Sequence, residues 1–242
     1  MKKDDIRAHS RALLASGTFV APVFFGIALV EILLRPEFDI RKLPISFLSL
    51  GSLGWIQDAS FAICGLLALV CAFGMRSQLR AQPAGVWGPV LVGLFGIGMM
   101  AASLFHPDPS YGFPPGTPAG PPTHPSAHGT LHMAAFFLAF LSLIAATFVF
   151  VRRFLRRQEK GWAAYSLVTG LVVPVLMSIS GAFAAWAGVI IAIAGLGLFG
   201  WLAVVASHLK VERNAVVEVG HAERVERNRL AVLDELQQER TQ

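Results

Sequence analysis

Six apolar runs, each long enough to cross a bilayer, constrain this chain more than any other feature. They lie at roughly 13–34, 50–75, 86–105, 130–151, 162–182 and 185–208. A spanning helix needs about 20 mostly apolar residues. Composition agrees, because 55% of residues are hydrophobic, 14% are charged, and mean hydropathy is +0.60. Soluble domains carry about 25% charged residues. The expectation is an all-α polytopic membrane protein, a bundle of six transmembrane helices with the lipid bilayer as its partner. Three parts are expected: an N-terminal segment over 1–12, a transmembrane domain over 13–208, and a charged helix over 209–242.

Lysine and arginine near the span ends set the orientation. Lys2, Lys3, Arg7 and Arg11 precede the first span, Arg76 and Arg80 follow the second, and Arg152 to Lys160 follow the fourth. The third and fifth connections hold no Lys or Arg. Both termini are therefore expected to be cytoplasmic, in a multi-pass protein of the inner (cytoplasmic) membrane. The net charge of +5 reports topology and not nucleic-acid binding. Cys64 and Cys71 stand roughly 10 Å apart along one helix, too far for a disulfide, and read as buried hydrophobes. Glycines inside the third span (Gly93, Gly96, Gly98) and the sixth (Gly195, Gly197, Gly200) read as sites of close helix approach.

Ionisable groups inside such a domain are expensive and tend to be functional. Glu31, Asp58, His106, Asp108, His128 and His132 all fall at the expected outer ends of spans one to four. They form a candidate ligand pocket. His128 and His132 stand four residues apart, on one helical face. Two chemistries stay open. In the first, the pocket binds a lipid headgroup or a small polar ligand, without reaction or as part of transport. In the second, His128 and His132, with His106 and Asp58, hold a zinc ion whose bound water hydrolyses a lipid or amphiphile. Haem held by His106 and one of the other two histidines ranks last. Asp108 also serves as a third zinc ligand in some arrangements, and Glu31 also reads as the i,i+4 partner of Arg35. No HExxH is present.

The third connection, 106–128, holds eight prolines and reads as stiff and extended. A rigid connector is the favoured reading. A lid carrying Tyr111 and Phe113 is the other.

The stretches LPISFLSLGSLGWIQDASFAICG, FHPDPSYGFPPGTP and HGTLH resemble, in order and spacing, a bacterial integral-membrane family called domain of unknown function 998. The resemblance covers roughly residues 12–208. It places Ser46, Leu50, Gly51, Gly54, Trp55, Gly65, Asp108, Gly112, His128, Gly129 and His132 at family positions. It implies a six-span helical bundle and no activity. A looser likeness is to membrane hydrolases of the alkaline ceramidase kind, which combine an HxxxH pair, a third histidine and an intramembrane Asp around zinc. There His128, His132, His106 and Asp58 would take those parts, although the HxxxH here lies in the fourth span and not the last.

Overall fold

The computed structural model describes residues 12–80, 82 and 84–212. Most of the expected N-terminal segment and of the charged helix over 209–242 lies outside these residues. The described chain is helical, with no strand. Its helices are α1 (Ala12–Leu34), α2 (Gly54–Gln78), α3 (Trp87–Ala102), α4 (Ala127–Arg156), α5 (Lys160–Ser180) and α6 (Ala184–Glu212).

All but α3 are long and apolar enough to cross a membrane, which makes this a multi-pass membrane protein. α3 has 16 residues, short of a span by itself. Hydrogen bonds from Ser103 N to Met99 O and from Phe105 N to Ala101 O carry its coil on toward His106.

The order of the helices follows from close approaches that only small side chains allow. α1 and α2 run antiparallel with the thiols of Cys71 and Cys64 against the carbonyls of Leu14 and Val20, at 3.9 and 3.6 Å. Both cysteines are free and buried, as expected from their spacing. A Cβ on Gly65 of α2 would lie 2.7 Å from the Gly96 carbonyl of α3, and one on Gly98 of α3 would lie 2.8 Å from the Ala135 carbonyl of α4. Glycine is what lets these backbones meet. The expectation for α6 differs from the structure: a Cβ on Gly200 meets nothing within 4 Å, and Gly197 has only ordinary contact. α6 packs instead through large side chains. Phe199 meets Phe24, Phe95 and Phe140 of three other helices, and the buried Trp201 donates its indole N–H to Ser166 at 3.0 Å.

The two ends of the bundle differ in chemistry. At one end, here the arginine end, the wholly buried Arg153 binds the Gln82 amide oxygen at 2.8 Å and both carboxylate oxygens of Glu212. Arg157 pairs with Glu212 and Glu159, and Glu159 receives His208 at 3.0 Å. These contacts join the ends of α4 and α6 and the start of α5. The opposite end carries the histidines.

The proline-rich connection is not extended along its length. Ser110 and Phe113 form an isolated bridge, and Tyr111 N and Gly112 N bond to the carbonyls of Gly120 and Pro118. Phe113 is 1% exposed and packs edge-on against Phe38 at 5.3 Å. Proline stiffness acts locally; burial of one aromatic ring folds the segment back onto the bundle.

Candidate functional site

The histidine end is shaped by three chain entries. Gly51 takes φ +80°, which glycine adopts without strain, and turns the chain into α2. Asp58 follows one turn inside that helix. Phe105 and His106 follow the end of α3, and Ser126 precedes α4, its hydroxyl accepting the Gly129 N–H at 3.0 Å as an N-cap.

His106 Nε2 lies 3.1 Å from Asp58 Oδ2, so the segment that follows α3 is bonded to the first turns of α2. His132 Nδ1 lies 2.7 Å from the Phe105 carbonyl. A carbonyl only accepts, so Nδ1 carries the proton and Nε2 of the neutral ring is left as an acceptor. His132 is 4% exposed, whereas His128, one turn earlier, is exposed. The His128 ring sits 5.6 Å from Phe105 and 6.4 Å from His106. The two histidines of the i,i+4 pair therefore have different surroundings. Asp58 lies within electrostatic range of His106, His132 and Glu31.

Asp108 has a structural task. Its carboxylate accepts the Ser126 N–H at 3.0 Å and occupies the space that a side chain on Gly129 would need. It thus covers the positive end of α4. Glu31 is fully buried, and neither of its oxygens has a hydrogen-bond partner among the described residues. Arg35 stands 4.0 Å from it. The Arg35 guanidinium is itself committed to the carbonyls of Leu48 and Leu50 and lies 4.8 Å from the Phe113 ring centre. Among the described residues, no three His, Cys, Asp or Glu side chains are gathered closely enough to hold a metal ion.

Two voids meet at this end. An open cleft of ≈ 1030 Å³ runs between the first connection, the proline-rich connection, the start of α4 and the turn between α5 and α6, with Phe47, Asp108, Tyr111 and Ala184 in its walls. Deeper in the bundle lies a cavity of ≈ 60 Å³ walled by Phe24, Phe61, Phe140, Gly195 and Phe199. Pro44 and His132 belong to the walls of both.

A family model described as "Protein of unknown function (DUF998)" matches residues 18–208. The chain belongs to the DUF998 family. No curated protein and no solved structure matches it. The match runs from within α1 to within α6 of this DUF998 protein.

Three residues that the sequence named have parts in this candidate site that the sequence did not show. Arg35 was legible only as a partner for Glu31; the signal was a cation placed at the close of an apolar run, directly before Pro36. Gly129 carried a signal too, since a glycine in a helix's first turn marks close approach. Phe113 was read only as a ring of the alternative lid; nothing local in a proline-rich loop showed that it would be buried against Phe38.

Proposed function

We propose that this DUF998 protein binds an amphiphile at its histidine end, with the headgroup in the open cleft and the apolar chain directed toward the aromatic cavity. One observation carries the reading. His132 stands in the wall of both voids, with its N–H spent on Phe105 O and its acceptor nitrogen left over. A polar group set between a wet cleft and an apolar cavity fits a molecule with one polar and one apolar part.

The positive-inside pattern supports an inner-membrane location with the histidine end facing outward. A cysteine at Tyr111, which is 52% exposed, should then react with an impermeant reagent from outside the cell. Labelling from the cytoplasm alone would reverse the orientation.

The binding test uses purified protein in amphipol and a dansyl-labelled single-chain amphiphile. A Cβ on Gly195 makes only ordinary contact, at 3.4 Å from Phe25. Gly195→Leu therefore projects bulk into the cavity. It should weaken probe binding about tenfold or more, the scale of a lost apolar contact of this size. Wild-type affinity in Gly195→Leu, with the fold intact by circular dichroism, would remove the cavity from the reading.

A further inference from the structure

The charges around the cleft narrow the headgroup, given the amphiphile reading above. Three basic residues stand near it, and each is engaged. Lys42 Nζ lies 3.9 Å from Asp39 Oδ2. Arg41 makes two side-chain hydrogen bonds to the same carboxylate, at 2.9 and 3.0 Å. That carboxyl is held below its usual range chiefly by the Arg41 hydrogen bond, with burial opposing. Arg35 is 4% exposed and turned onto the carbonyls of Leu48 and Leu50.

The remaining place for an anion would be the N-terminus of α4, where backbone N–H groups and the helix dipole favour negative charge. Asp108 already occupies it, bonded to Ser126 N and packed on Gly129. A phosphate or carboxylate headgroup entering the cleft would meet a filled helix end and a carboxylate of its own sign. Ser110, Thr130 and Ser180 in the cleft wall spend their hydroxyl protons on the carbonyls of Asp108, Ser126 and Met177, which leaves two acceptors among the wall residues beside the Tyr111 hydroxyl: His132, whose Nδ1–H is spent on Phe105 O, and the Asp108 carboxylate. Acceptors select donors.

We infer that the ligand's headgroup is uncharged and hydroxylated, as in a monoacylglycerol, and that one hydroxyl donates to His132 Nε2. An ammonium headgroup also donates, but taking its charge out of water beside His132, which is 4% exposed, costs far more than burying a hydroxyl. An uncharged ester headgroup without a hydroxyl leaves the buried acceptor unpaired, which costs binding.

Four ligands with the same C18 chain test this: 1-monoolein, methyl oleate, oleate and oleylamine. Each is titrated against the dansyl probe on wild-type protein in amphipol. Monoolein should displace it at about a tenth of the concentration of the other three, a factor expected from one buried hydrogen bond. In His132→Phe, monoolein should fall to the level of methyl oleate while methyl oleate is unchanged. The wild-type series decides the question even where that variant does not fold. Equal displacement by all four, or preference for oleate or oleylamine, overturns the headgroup inference and leaves the amphiphile reading standing. Displacement by none overturns the amphiphile reading itself.

Discussion

The Asp108 carboxylate rests on the first turn of α4, where it accepts the Ser126 N–H at 3.0 Å and fills the space beside the bare Cα of Gly129. Two residues twenty-one positions apart thereby fix how the proline-rich connection enters the helix that carries His128 and His132. Gly129→Ala should expel the carboxylate and cost about 1–2 kcal/mol, the usual worth of an N-terminal cap. Asp108→Ala should cost a similar amount, and the double variant little more than either. Denaturant unfolding of the detergent-solubilised protein measures all three. Additive losses would show that the two residues act separately.

Arg35 holds together segments that are distant in sequence. Its guanidinium bonds the carbonyls of Leu48 and Leu50, faces Phe113 and stands 4.0 Å from the buried Glu31. Arg35→Met keeps the bulk and removes the charge. It should destabilise by about 3–5 kcal/mol, as expected when one partner of a buried pair is lost. Adding Glu31→Gln should recover part of that loss, because the stranded carboxyl is then neutral. No recovery in the double variant would separate Glu31 from Arg35 energetically.

The arginine end should respond to acid. Burial pushes the Glu159 carboxyl up, but hydrogen bonds from Arg157 and His208 outweigh it together and hold the group below its usual 4.5. A depressed carboxylate contributes stability that is present above the unfolded value and lost as pH falls through the folded one. Melting temperature should therefore drop on the acid side of about pH 4.5, with Glu159→Gln showing a shallower drop. At neutral pH the same variant should cost under about 1 kcal/mol, since the group is partly exposed. Parallel wild-type and variant acid profiles would exclude Glu159 as a contributor.

Chelation should leave the fold untouched. His106 is bonded to Asp58, His132 to Phe105 O, and Asp108 to Ser126 N. Each candidate ligand except His128 thus already has a protein partner in this arrangement. The melting temperature with excess EDTA should equal that without it. A clear drop, restored by zinc, would support the metal reading that His106, His128, His132 and Asp58 prompted.

Hydrophobicity is a property of the chain itself, so the apolar runs by themselves determined the helical bundle and the placing of its six helices. They also placed Asp58, His106, His128 and His132 near one end, because a run's ends are also a helix's ends. Partners are a different matter, since they depend on which helices meet and at what register. Only the tertiary structure decided that His106 bonds Asp58, and that the histidine pair splits into a buried His132 and an exposed His128. It bonded Asp108, which still lines the cleft, to the backbone of Ser126 at the start of α4. It kept the close approaches expected at Gly96 and Gly98, added Gly65, and left Gly197 and Gly200 of α6 without one. Proline content spoke for a stiff connector; the burial of Phe113 under Arg35 and Phe38 folded it back, because a single ring removed from water outweighs local extension.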